Sequence, residues 1–315
     1  MESSFRAVSF ADSDAFAEWQ IALGWDVQST QLTYGPQEIC FDHFELPGIV
    51  TVHFRLAQSQ YDVWEPPQGT VLFLICRAKL PVVWNGTIIP PSQLAVVRAG
   101  MNHSAKLPAG WDCYEFIVEE ELIRRTELFP PEFFEKTARV EDARLPLPEP
   151  QTARFLDRMD GYFRLARKAD RERAQSVDGA EFSDFVLHGL REVIDAGLTG
   201  AGTPPSRRVR GANLVPDARD FMEAILRETL TADQIAQSLG VAYRALHYAF
   251  RESLGVSPSR YYLTRRLHSV RKQLKSGTAL VTEASLACGF FHPSRFTRQY
   301  KRLFGELPSE TRNGD

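Results

Sequence analysis

Between Gln31 and Val118 the apolar residues fall into short runs: TVHFRL at 51–56, VLFLICR at 71–77, PVVWNG at 81–86, QLAVVRAG at 93–100 and CYEFIV at 113–118. Pro and Gly bound these runs, and turn signals recur about every 10–15 residues, which predicts an antiparallel barrel or jelly roll rather than an alternating βαβ sheet. The period then changes. Phe155, Met159, Tyr162, Phe163 and Ala166 share one helical face, as do Phe182, Phe185, Val186, Gly189, Leu190 and Val193, so two amphipathic helices follow the strands. Packing on the barrel and joining two copies of the chain are both open to these stripes.

Near the carboxy terminus the pattern repeats. Gly240, Leu246, Phe250, Leu254, Gly255 and Pro258 are answered by Gly289, Phe296, Tyr300, Phe304, Gly305 and Pro308, the first pair offset by 49 residues and the others by 50. Each unit runs from a short helix through a Gly-containing turn to a second helix, the helix-turn-helix plan. Within the second helices Leu246, Phe250 and Leu254, and likewise Phe296, Tyr300 and Phe304, form a seam at four-residue spacing. The opposite faces carry Tyr243, Arg244, His247, Tyr248 and Arg251 in the first unit, and His292, Ser294, Arg295 and Arg298 in the second. Arg suits guanine edges and Ser, Tyr and backbone amides suit phosphates, so these residues are the candidate contacts to double-stranded DNA. Leu263, Leu267, Val270 and Leu274 predict a connecting helix bearing Arg265, Arg266, Arg271, Lys272 and Lys275, of which Lys275 reads as a phosphate contact. A rigid connector would set the two second helices roughly 34 Å apart, one turn of DNA.

Charge sharpens this division. Residues 1–206 hold 19 basic and 30 acidic side chains, a balance of −11, whereas residues 207–315 hold 18 and 10, a balance of +8, within a total of only −3. A basic nucleic-acid-binding module joined to an acidic partner gives this asymmetry. Gly and Pro interrupt every period in Leu198–Pro216, dividing the chain into residues 1–198, a linker at 199–216 and residues 217–312. The expected class is α+β: an amino-terminal cupin-like β-barrel with helices, then an all-α tandem helix-turn-helix domain. At 315 residues, with 43% hydrophobic and 24% charged residues, the chain suits two globular domains and excludes wholesale disorder. No apolar run reaches the ~20 residues of a membrane span, and MESSFRAVSFADSD does not read as a secretory leader, so the expected location is the cytoplasm.

A barrel mouth is a common small-molecule site, and Phe54, Trp64, Trp84, Trp111 and Tyr114 are the candidate lining residues. Metal chemistry in such a barrel needs converging His and carboxylate ligands, usually with two His one residue apart. His43, His53 and His103 lie far apart in sequence, and Cys40, Cys76, Cys113 and Cys288 form no C-x-x-C pair, so no metal or other cofactor is expected and the thiols read as reduced.

With A-x-x-L-G-V at 236–241, F-x-x-x-L-G-x-x-P at 250–258, Arg266-Leu267, and Gly289, Phe290, Ser294, Arg295 and Phe296 in place, the chain from about Asp217 to Arg312 resembles the AraC/XylS transcriptional regulators. That resemblance implies seven helices with two helix-turn-helix motifs, an effector-binding and dimerising cupin-like barrel, and RNA polymerase as a partner. GFFHPSRFTRQYKRLFGELPSET is also similar to regulators of amine and ethanolamine catabolism, which implies an amine or amino alcohol as effector. The chain departs from the family at Ala242 and Phe291, where Ser or Thr often caps the recognition helices, and at Ser285 and Cys288, where Ala and Leu are usual. The expected function is a sequence-specific, effector-responsive activator and not an enzyme. Its rivals are a cupin-type metalloenzyme or a DNA-repair enzyme fused to a DNA-binding module, and an architectural DNA binder without an effector. The repair enzyme needs a reactive Cys in a Pro-Cys-His-Arg setting, which none of the four cysteines has.

Overall fold

The structure is a computed structural model that describes residues 4–77, 80–91, 93–100, 102–126, 129, 143–172, 177–199 and 206–313. Strand β1 (Ser4–Phe10) and helix α1 (Ser13–Ala22) open the chain, followed by β2 (Asp26–Gln31), β3 (Ile39–Leu46), β4 (Ile49–Leu56), β5 (Gln60–Glu65) and β6 (Thr70–Cys76). Then come β7 (Val82–Trp84), β8 (Thr87–Ile89), β9 (Gln93–Arg98), β10 (His103–Leu107) and β11 (Trp111–Glu119). Helix α2 (Glu120–Thr126), β12 (Ala143–Pro146), α3 (Glu149–Glu172), α4 (Gly179–Thr199) and the short β13 (Arg207–Arg208) complete this half. The strands form two antiparallel sheets, of order β1-β3-β4-β11-β6-β9-β12 and β13-β8-β7-β10-β5-β2. The expected barrel is thus two open sheets facing each other, not a closed cylinder.

Burial on both faces explains why the central strands lack alternation. Toward the second sheet, β11 presents Trp111, Cys113 and Ile117, which join Phe54, Trp64, Trp84 and Phe16 in the inter-sheet core. Away from it, β11 presents Tyr114, Phe116 and Val118, covered by Phe155, Met159 and Phe163 of α3 and Phe182, Val186 and Leu190 of α4. Both helical stripes therefore pack on the chain's own sheet, with Tyr162 and Phe185 half-buried at its edge. Polar ties add to the packing: Arg167 of α3 pairs with Asp42 and donates to His53 Nδ1 at 3.0 Å, while His53 Nε2 donates to Asp112 at 2.9 Å.

The second sheet turns its other face to the carboxy-terminal helices. Leu32, Tyr61 and Val63 pack with Val215, Ala218, Met222 and Tyr261 in a cluster shared by the two halves. Residues 206–216 of the segment expected as a linker are docked on the amino-terminal half: β13 pairs with β8, Val209 N–H donates to Gly86 O at 2.8 Å, and α5 already starts at Leu214 (Leu214–Ala224). Gly86 permits this docking. Asn85 and Gly86 both have positive φ in this hairpin turn, 45° and 70°, and a Cβ on Gly86 would lie 2.3 Å from Ala212 Cβ.

Candidate functional site

The carboxy-terminal half contains α6 (Ala232–Ser238), α7 (Tyr243–Leu254), α8 (Pro258–Lys275), α9 (Val281–Ala287), α10 (Pro293–Phe304) and α11 (Pro308–Asn313). With α5 these make the seven helices implied by the resemblance. Helices α6–α7 and α9–α10 are the two hairpins. Thr231 and Gln234 cap α6 reciprocally, Gln234 N–H donating to Thr231 Oγ1 at 3.2 Å and Thr231 N–H to Gln234 Oε1 at 2.8 Å. In the second hairpin the turn residue Gly289 has φ 72°, and a Cβ on it would approach Arg266 Nη2 to 2.6 Å. Arg266 holds that turn by donating from Nε to Cys288 O at 2.8 Å.

Along α7, Leu246, Phe250 and Leu254 are buried, as are Phe296, Tyr300 and Phe304 along α10. This leaves Tyr243, Arg244, Tyr248, Arg251, His292, Ser294, Arg295 and Arg298 exposed, with His247 half-buried beside the Tyr243 ring at 5.6 Å. Arg251 differs from the rest, because its guanidinium donates to Gly255 O at the end of its own helix at 3.1 Å. Among the described residues Arg244, Arg295 and Arg298 form no ion pair, so their charges face solvent on the two exposed helix faces. Neither helix start has a side-chain cap: Ala242 precedes α7, and His292, rather than Phe291, precedes α10, where Pro293 occupies the first turn without wasting an N–H.

The connector does not present its arginines to solvent as expected. Arg265, Arg266 and Arg271 of α8 are buried and engaged, Arg265 on Glu223 and Thr30, and Arg271 on Glu306 and Asp12. Lys275, expected on a phosphate, is bound to Asp12, the residue whose side chain also caps α1. His268 of α8 meets Asp14 of α1 at 2.9 Å. That contact helps hold the Asp14 carboxyl below its usual range although burial, the largest influence, acts to raise it. Beyond α1, Gln31 Nε2 donates to Leu303 O at 2.9 Å, and the Tyr34 ring lies between the guanidiniums of Arg260 and Arg302 at 3.4 and 3.9 Å. The replacements Ser285 and Cys288 are accommodated: Ser285 Oγ bonds Thr282 O at 2.9 Å and Cys288 Sγ lies 3.4 Å from Ser269 Oγ.

Four of the five candidate effector-site residues come together. Phe54, Trp64, Trp84 and Trp111 line a cavity of about 40 Å³ between the sheets, with Phe16, Gln20, Trp25, Asp62 and Glu115 among its other walls. Tyr114 does not line it. That ring lies on the helix side of β11, stacked on His53 with centroids 4.5 Å apart, and its hydroxyl donates to Asp160 at 2.6 Å. Among the described residues no three His, Cys, Asp or Glu side chains are grouped to hold a metal ion. No described helix is long and apolar enough to cross a membrane. Sequence reading missed Asp62 and Glu115, although each lies an even number of residues from a Trp on its strand and so shares that Trp's face. It also missed Asp12 and Asp14, for which the S/D-rich start of α1 gave no sign of a distant partner.

Residues 235–314 match a family model described as a helix-turn-helix domain. The chain is 32% identical over 144 residues to the HTH-type transcriptional regulator ArgR of Pseudomonas aeruginosa, covering 45% of this chain and 43% of that protein. It is 25% identical over 264 residues to XylDLEGF operon transcriptional activator 3 of Pseudomonas putida, covering 79% and 74%. A solved structure of a probable AraC family transcriptional regulator from Rhodopseudomonas palustris shares 33% identity over 32% of this chain and 96% of its own, with a TM-score of 0.31. The chain thus spans less than half of the first relative and about three quarters of the second.

Proposed function

The chain belongs, through its tandem helix-turn-helix domain, to the AraC/XylS family, and from that premise we propose that it is a sequence-specific DNA-binding transcriptional regulator of the activator type. One observation carries the reading: α7 and α10, joined by the continuous α8, each expose an uncapped amino-terminal turn and free arginines while burying the opposite face. Each such face fits a major groove, with Arg244, Arg295 and Arg298 as base-edge readers, and Tyr243, His247, Tyr248, His292 and Ser294 as further contacts. Arg251 supports the end of α7 more than it reaches outward.

In the same reading the amino-terminal domain senses a small molecule, and the chain acts by regulation rather than by catalysis. The contacts between the halves supply a route. Phe16 and Gln20 line the inter-sheet cavity, and one turn earlier on the same helix Asp12 and Asp14 hold Lys275, Arg271 and His268 of the connector. A ligand that favours one position of α1 changes these contacts, and a tenfold change in DNA affinity requires only about 1.4 kcal/mol of such coupling. A cytoplasmic location, RNA polymerase as partner and a homodimer follow from the family reading.

Footprinting on genomic fragments at near-physiological salt tests the proposal. The expected result is protection of two major-groove segments about 10 base pairs apart. Arg295→Ala is expected to relax preference at one or two base positions in one segment, at a cost of about 1–3 kcal/mol. Uniform, salt-labile binding without protected segments would instead favour the architectural reading.

A further inference from the structure

The inter-sheet cavity has an unusual electrostatic balance. Its walls include the carboxyls of Asp62 and Glu115, only 6% and 8% exposed, and no Lys or Arg. Asp62 accepts from Gln60 Nε2 at 2.8 Å, and Glu115 has the weak Cys113 thiol at 3.7 Å. Neither arrangement supplies a positive charge, and a buried carboxylate without one is costly. Burial accordingly pushes both carboxyls up to about 7, Glu115 being raised further by Asp62. Gln20, itself 8% exposed and in the cavity wall, leaves its Oε1 buried without a hydrogen-bond partner. The rest of the wall is apolar, the indoles of Trp25, Trp64, Trp84 and Trp111 beside aliphatic Leu72 and Leu74, and the Nε1–H groups of Trp84 and Trp111 are buried without an acceptor among the described residues.

On the reading that the amino-terminal domain senses a small molecule, we propose that this cavity binds a small organic ammonium ion, with Asp62 and Glu115 as its counter-charges and the indole rings as its walls. An anion is repelled by the carboxylates. A hard metal ion wants several converging oxygen ligands and gains little from indole faces, whereas an ammonium group gains from both carboxylates and aromatic faces. Gln20 Oε1 provides a neutral acceptor for an ammonium N–H. The cavity's about 40 Å³ restricts the guest to a few heavy atoms, given that a single water needs about 10–15 Å³. Binding is coupled to proton release: the ligand's single charge displaces one proton from the Asp62–Glu115 pair, the neighbouring Cys76 and Cys113 thiols are pushed upward by burial and stay protonated, and the buried His103 ring packs on Trp64 and Trp84 with centroids 5.2 and 6.0 Å away.

The test is calorimetry and tryptophan fluorescence on the full chain with methylammonium, ethanolamine and tetramethylammonium chlorides, against tert-butanol, ethylene glycol and sodium acetate at matched ionic strength. At least one ammonium salt is expected to bind saturably. Its affinity is expected to rise about tenfold or more from about pH 6 to about pH 8, as the carboxyls ionise. Asp62→Asn and Glu115→Gln are each expected to weaken that binding about tenfold or more while retaining a cooperative melt, whereas the exposed Glu45→Gln leaves both binding and the melt unchanged. Equal binding of neutral probes, indifference to pH and to both carboxamide variants, or no saturable response to any ammonium salt would overturn the assignment. Duplex binding on the same preparations separates this from the regulator reading. Sequence-selective binding without an ammonium response removes the cation site alone, and ammonium binding that leaves duplex affinity unchanged supports the site but not its sensory use.

Discussion

Asp62 and Glu115 make stability depend on pH in a direction opposite to that of ion-paired carboxylates. Their folded pKa values of about 7 stand above the roughly 4 of an unfolded chain. As pH rises from about 4 the unfolded chain loses these protons first, so stability falls up to about pH 7 and then levels off. Denaturant unfolding of Asp62→Asn is expected to show a shallower decline, with the variant more stable than the parent by on the order of 1–3 kcal/mol near pH 8. Superimposable pH profiles would contradict the burial cost. The inward positions were legible in strand parity, since Asp62 and Trp64 lie two apart, as do Cys113 and Glu115. Chemical type obscured them, because lone carboxyls on strands are mostly solvent-facing. Tyr114 fails the same parity test against Trp111, which is why it lies outside the cavity.

At the scale of elements, the tandem hairpins were the most legible part, because a buried seam at four-residue spacing, repeated 50 residues later, leaves little freedom in which face each helix buries. The fate of the connector's arginines was not legible. Periodicity marks the apolar stripe of α8 but cannot show that α5, α11 and the amino-terminal domain close over its other sides, so that Arg265 and Arg271 must meet Glu223 and Glu306. The capping deficit of α7 is testable. Ala242 has extended backbone geometry and no side-chain oxygen for the free N–H groups of the first turn. Ala242→Ser is expected to stabilise the folded chain by about 0.5–2 kcal/mol, read as a raised unfolding midpoint without a change in denaturant slope. An unchanged midpoint would mean that those N–H groups are already satisfied.

For the molecule as a whole, strand pattern gave the right class of amino-terminal domain but not its division into two open sheets, because closure depends on which edge strands pair, and edges leave no periodic trace. The docked stretch from residue 206 was hidden for a similar reason. Gly and Pro signal a break in helix, and only the close approach of Gly86 and Ala212 shows that the break is packed. These contacts and the acidic cluster on α1 make the connector α8 a continuous helix of 18 residues, about 27 Å long, held at both ends by neighbours. On the proposed reading, α7 and α10 engage two DNA segments at one fixed spacing. Binding should therefore be measured on duplexes in which the protected segments are moved apart by about 5 base pairs, half a turn, with their sequences intact. A fixed connector requires affinity to fall about tenfold or more, toward that of a single segment, whereas affinity independent of the spacing would show that the two helices do not engage DNA as one rigid unit.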